Sequence, residues 1–242
     1  GVGDLTTVTS GANNATATFN GVIADGGGTV ALTKIGTGTQ TLTNNSTYTG
    51  ATTYAGGVVS VATLTGGNTP SPIGAALGFS QNQVFDGGTL QYTGNSVAIN
   101  RPFRVGIGGG TLEVTTAGQT LTLNDNAGAT DIDGTNPSGL LTLTGAGNGV
   151  IDNEIVASVT GGLTKSGTGT WTLSRNNTYT GVTTINDGRL NINGSLADGV
   201  LDPDVIVNNN GTLGGTGIVS GSVLVNAGGT VAPGTSPGIL SS

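Results

Sequence analysis

The chain has 242 residues, 47 of them Gly, with no Cys, His or Met, a formal net charge of −7 and only 8% charged side chains. Lack of Cys removes disulfides and thiolate chemistry, lack of His removes a Ser/His/Asp triad, and six scattered basic residues cannot form a phosphate-neutralising stripe, which excludes nucleic-acid binding. Abundant Gly with little charge resembles low complexity, but the many Val, Leu and Ile in short alternating runs indicate a folded, turn-dense all-β chain.

The chain opens on GVGDLTTVTS, with no basic segment followed by an apolar one, so no secretory leader is expected, and no window approaches ~20 consecutive apolar residues. From residue 32 the sequence reads LTKIGTGTQTLTNNSTYTGATTYAGGVVSV, and from 163 it reads LTKSGTGTWTLSRNNTYTGVTTINDGRLNI, without a gap between the two copies. Changes fall at Ile35/Ser166, Gln40/Trp171 and Ser46/Asn177, while the glycines and the alternating residues stay. A duplicated unit of this kind is expected to be one layer of a stack. Gly36, Gly38, Gly50, Gly167, Gly169, Gly181, Tyr48, Tyr179 and Trp171 are its predicted structural positions.

Strands are predicted where apolar residues recur with period two: Val59/Val61, Leu112/Val114, Leu121/Leu123, Leu141/Leu143, Trp171/Leu173, Leu190/Ile192 and Val205/Val207. Gly-Gly, Asp-Gly or Asn-Gly precedes these strands at 56–57, 87–88, 109–110, 161–162, 187–188, 210–211 and 228–229, supplying the positive φ a tight turn needs. Equivalent strands lie about 20 to 30 residues apart, too far for hairpins and right for successive coils of a parallel β-solenoid of roughly nine or ten coils. Ile73 to Leu77 could form one helical turn at most, and Asn68 to Ile73 (NTPSPI) and Asp131 to Ser138 (DIDGTNPS) are expected to leave the stack as excursions. Asn44, Asn45, Asn176, Asn177 and Asn208 to Asn210 are candidates for stacked ladders or for plain turns. A single unit, 1–242, is expected.

Few residues suggest chemistry. Asp125, Asp131 and Asp133 in NDNAGATDIDGTN could hold Ca²⁺, pair as a glycosidase acid and base, or serve as ordinary turn residues; a closing acidic ligand is missing. Asp198, Asp202 and Asp204 read as an exposed loop, and GIGGG at 106–110 lacks the lysine and helix of a phosphate loop. Arg101 and Arg104 are expected to bridge neighbouring coils, with contact to an acidic partner as the alternative. Tyr48 and Tyr179, and likewise Lys34 and Lys165, occupy equivalent repeat positions; packing is expected for the tyrosines, with glycan stacking as the alternative. The Thr pairs 39/41, 120/122, 142/144 and 170/172 point outward; they are expected to serve as good strand formers, with glycan or ice binding as the alternative if they formed a co-planar array.

The two long copies resemble the autotransporter-associated β-strand repeat (PATR type), whose consensus runs approximately Leu-x-Lys-x-Gly-x-Gly-Thr-Leu-Thr-Leu, then Asn-Thr-Tyr-Thr-Gly. Trp171 stands where Leu is usual, and Gln40 and Tyr54 depart from the pattern. GGTVAPGTSPGIL at 228–240 is similar to an element that recurs late in such passengers, with Thr235 in place of the commoner Asn. The resemblance implies an all-β, right-handed, single-stranded parallel β-helix, secreted or displayed at the surface of a Gram-negative bacterium. It carries no catalytic residues and no cofactor. The expectation is therefore a non-enzymatic stalk, adhesin or fibre subunit, with copies stacking end to end or the rod meeting a surface glycan or other cell-surface partner. A glycan- or ice-binding face and a polysaccharide-cleaving enzyme are the alternatives.

Overall fold

A computed structural model describes residues 4–124 and 131–234. Its regular structure is a succession of strands two to five residues long, interrupted by one 3-10 turn at Ser80–Asn82. Every ladder between named strands is parallel, from Thr6–Ser10 on Val30–Lys34 to Gly211–Gly215 under Thr230–Pro233. The protein is an all-β parallel β-solenoid of about ten turns. Among the described residues no helix is long and apolar enough to cross a membrane.

Three faces run along the rod. Sheet I has six strands, from Thr6–Ser10 to Asp133–Gly134; sheet II has ten, from Ala17–Phe19 to Val223–Val225; sheet III has seven, from Val97–Ile99 to Thr230–Pro233. Past Gly134 the first face continues through the parallel bridge Ile132–Ile155 and then a three-stranded sheet at 176–177, 195–196 and 218–219. Nine steps of about 4.8 Å separate the ten strands of sheet II, so the rod is about 43 Å long. Coil lengths vary: Val207 stacks under Val225, whereas Val59 stacks under Leu90 across a longer loop.

Alternation builds the core. Leu112, Leu143, Ile185 and Val207 form one inward column of sheet II, and Leu121, Trp171, Leu190 and Leu213 form one of sheet III, all buried. One apolar cluster extends from Leu32 to Val219 without a break. Stacking coils is what buries these side chains, at about 1.5–3 kcal/mol for each large aliphatic one. Turns end the strands as the glycine pairs suggest: Gly57, Gly87, Gly109, Gly162, Gly188 and Gly228 all have positive φ. At Gly188 a side chain would also run into the Gly167 carbonyl of the coil below.

Two expectations are corrected. Asn68 to Ile73 is no simple excursion, because Ser71 pairs antiparallel with Ser46, and Ser71, Ile73 and Ala76 are buried. Asp131 to Ser138 likewise contributes a rung, with Ile132 fully buried and Asp133–Gly134 paired on Arg104–Val105. In each stretch a lone isoleucine among polar residues supplies the coil's inward side chain. The two long repeats do not occupy the same face. Lys34 lies in sheet I between Ser10 and Tyr54, whereas Lys165 lies in sheet II between Leu143 and Ile185. The second copy starts one face further round the rod, since the coils between them need not contain a whole number of repeats.

Candidate functional site

The repeat's most distinctive side chain is its lysine. Lys34 and Lys165 both sit on strands facing inward, and both are almost wholly buried. Each stem packs in the core while the ammonium donates to three carbonyls at a corner. Lys34 Nζ reaches Ile35 O at 2.7 Å, Gly36 O at 3.3 Å and, one coil on, Gly56 O at 3.2 Å. Lys165 Nζ reaches Ser166 O at 2.7 Å, Gly167 O at 2.6 Å and Asp187 O at 3.0 Å. The two cages match residue for residue. Positive φ at Gly36 (69°) and Gly167 (68°) turns the carbonyls inward to meet the charge. Burial pushes the Lys165 ammonium down to about 8, with Asp187 acting in the opposite sense; burial lowers Lys34 as well. A lysine cage uses all three ammonium donors, so neither lysine has one left for a substrate.

The tyrosines are equally committed. Tyr48 Oη meets Thr52 Oγ1 at 2.7 Å and Tyr179 Oη meets Thr183 Oγ1 at 2.6 Å. Both rings are buried, and burial raises both hydroxyls well above the usual phenol range. Packing is therefore their role, and glycan stacking at Tyr48 or Tyr179 is ruled out by lack of access. Trp171 is fully buried over Gly149, where a methyl group would fall inside the indole. The remaining repeat glycines mark close approach of successive coils: side chains at Gly38, Gly50, Gly169 and Gly181 would meet backbone atoms of Ala15, Val30, Gly147 and Gly162.

Arg101 and Arg104 part company. Arg104 forms an ion pair with Asp133 on the next coil at 2.6 Å, and this hydrogen bond raises the guanidinium further. Arg101 makes no such bridge. It is buried and donates to the carbonyls of Thr65, Gly66, Thr69, Gly74 and Ala76, closing the loop that carries Ile73. Five carbonyls from one loop take the place of a carboxylate, a set that only the folded loop brings together.

The described acidic candidates have separate partners. Asp125 lies outside the described residues, Asp133 is held by Arg104, and Asp131 accepts from the Glu154 amide at 3.3 Å. Among the described residues no three His, Cys, Asp or Glu side chains stand close enough to hold a metal ion. Asp204 ties its own loop to the next coil, accepting from the amides of Gly199 at 2.8 Å and Ser222 at 3.0 Å.

What the stacking does produce is an ordered outer face on sheet II. Thr39, Val58, Thr89, Thr111, Thr142, Thr164, Thr184, Ile206 and Leu224 follow one another in register. Beside this column runs a second one, in which amides and hydroxyls bond to one another except at Thr144 and Ser166, whose hydroxyls meet no protein partner among the described residues. Ser60 Oγ donates to Gln91 Oε1 at 2.9 Å and Gln91 Nε2 to Glu113 Oε2 at 2.9 Å. Further along, Asn208 Nδ2 donates to Asn186 Oδ1 and Asn226 Nδ2 to Asn208 Oδ1, each at 2.7 Å. Asn208 is thus a ladder residue, whereas Asn177 is buried and binds the Ile155 amide and the carbonyls of Arg175 and Ser195. By contrast, the hydroxyls of Thr89, Thr111, Thr142, Thr164 and Thr184 meet no protein partner among the described residues.

Comparison with known proteins agrees with this architecture. The family model described as the passenger-associated-transport-repeat matches residues 32–61 and 163–192. The chain is similar to the adhesin BmaC autotransporter of Brucella suis biovar 1 (strain 1330), 36% identical over 206 residues covering 81% of the chain. It is also similar to an extracellular serine protease of Serratia marcescens, 46% identical over 80 residues covering 33% of the chain. The chain spans only 5% of the length of the first relative and 7% of the second. No solved structure matches it. The chain carries two passenger-associated-transport repeats on a β-solenoid and is similar to an adhesin autotransporter.

Proposed function

We propose that the chain is a non-enzymatic rod segment of a surface-displayed or secreted Gram-negative passenger, working as the stalk of an adhesin. The observation that carries this reading is the single uninterrupted core, which makes about ten coils one stiff body, with the repeat lysines and glycines all spent on holding coils together. The adhesin among its relatives supports it. The protease among them does not lend its activity directly, because a chain without His cannot supply a Ser/His/Asp triad. As a spacer between an outer-membrane anchor and an epitope tag, the segment should hold the tag within antibody reach on intact cells. Removing whole coils should shorten that reach. A folded rod that leaves the tag inaccessible, or a purified chain that cleaves casein, would overturn the reading.

A second reading concerns the end coils. Val8 and Phe19 at one end, and Val225 and Val231 at the other, belong to inward columns yet are 38–44% exposed. Among the described residues these end strands are paired on one side only, and apolar edges of that kind invite further strands. Copies of the chain would stack end to end through them. Light scattering and negative-stain microscopy over a concentration series should show filaments of constant width; monomers at high concentration would exclude this.

A further inference from the structure

We propose that the outer face of sheet II binds an extended, uncharged polysaccharide chain laid along the rod, with the hydroxyls of Thr89, Thr111, Thr142, Thr164 and Thr184 as its line of hydrogen-bonding contacts. Five threonines stand on five consecutive rungs. Their hydroxyls are free of protein partners, while in the neighbouring column Gln91, Asn186 and Asn208 bond along the stack and only Thr144 and Ser166 add free hydroxyls, beside Thr142 and Thr164. The free groups therefore form a line along the rod, doubled only at the two rungs of Thr142 and Thr164, which fits a linear polymer better than a two-dimensional lattice.

The electrostatics select the same ligand. Within the strands of sheet II only Glu113 points a charge outward among the described residues, since Lys165 faces the core. A chain of net charge −7 repels anionic glycans at long range, and this face offers a cation nothing beyond one carboxylate. A hydroxyl both donates and accepts, so a row of them matches sugar hydroxyls in either orientation. Tyr48, Tyr54, Tyr92, Tyr179 and Trp171 are all buried, leaving hydrogen bonding, and not aromatic stacking, as the means of recognition.

This assignment deepens the adhesive reading by naming a ligand class, and it fails separately: the rod can be intact and displayed yet bind no glycan. The test is calorimetry and affinity electrophoresis of the whole chain against neutral β-glucan oligosaccharides of increasing length, with polygalacturonate as the anionic control. Affinity should rise with oligosaccharide length until the ligand spans the five rungs, about 19 Å, and then level off. The double variant Thr142→Val, Thr164→Val keeps β-branched strand formers and should bind at least about tenfold more weakly, while Thr122→Val, Thr172→Val on sheet III should bind normally. Circular dichroism establishes that each variant is folded. Absence of binding to neutral glucans, equal binding of polygalacturonate, or full binding by the sheet II double variant would overturn the proposal. So would ice faceting by a protein that ignores glucans, which would make the face a lattice binder.

Discussion

Gly149 and Trp171 face each other on adjacent rungs of sheet III, and replacing either one tests whether the core is fitted or merely apolar. Gly149→Ala puts a methyl group inside the Trp171 indole, which is fully buried and has no free space to move into. Overpacking of this kind costs about 1–3 kcal/mol. Trp171→Leu removes volume, which costs less than the ~3–5 kcal/mol of truncating a buried Trp to Ala. It also removes an indole N–H that meets no acceptor in the core, a recovery of about 1–3 kcal/mol. The Leu variant should therefore lose no more than about 2 kcal/mol. In the double variant the new methyl enters space the indole has left. Its loss should be smaller than the sum of the two single losses by about 1 kcal/mol or more. Urea midpoints at constant m measure this, with hydrogen exchange at strands Asn148–Asp152 and Thr170–Leu173 guarding against segmental unfolding of the solenoid. Additivity within about 0.5 kcal/mol would refute the reasoning.

Other expectations follow from the buried cations and the ladder. Lys165→Met strips the donor from three carbonyls and should cost about 1–3 kcal/mol by urea denaturation, without rescue by Lys165→Arg, whose planar fork does not match the cage. The pH dependence has a definite sign. Lys165 titrates near 8 in the fold and at its ordinary 10.5 when unfolded, so between these values the unfolded chain binds more protons and stability should rise with pH. Lys34 acts in the same direction, while above about 10 the raised buried tyrosines Tyr48 and Tyr179 oppose it. Denaturation at pH 7.5 and 9.5 should show the rise in the native chain and a smaller one in Lys165→Met. Asn208→Ala breaks two ladder hydrogen bonds at a solvent-exposed site and should cost about 1 kcal/mol, seen as a lower urea midpoint.

Much of the architecture was legible because local and global signals coincide. Period-two alternation at Leu112/Val114 or Leu190/Ile192 states which side chains face in, and glycine pairs such as Asp187-Gly188 state where the chain turns. The Thr array was legible as pairs but not as a column, because Thr111 and Thr142 become neighbours only once the intervening loop has a length. The lysine cages escaped notice for another reason. A lysine between polar residues reads as surface, and only the turn geometry of Gly36 and Gly167 reveals three carbonyls waiting for it. Likewise, Arg104 and Asp133 are 29 residues apart and meet through register alone. The turn of the second repeat onto a new face depends on coil phase, which no local pattern encodes.

Distances between spin labels along sheet II test the solenoid most directly, and a chain without cysteine lets each label be placed singly. With labels at Thr39 and Thr184 six rungs separate the pair, so their backbones should stand about 29 Å apart; Thr89 and Thr184, four rungs apart, should give about 19 Å. Pairs should fall on one line when plotted against rung number, with a slope of about 4.8 Å per rung whatever their separation in sequence. Distances that track sequence separation instead, or that fail to order by rung, would contradict the stack on which the rod, the cages and the threonine column all depend.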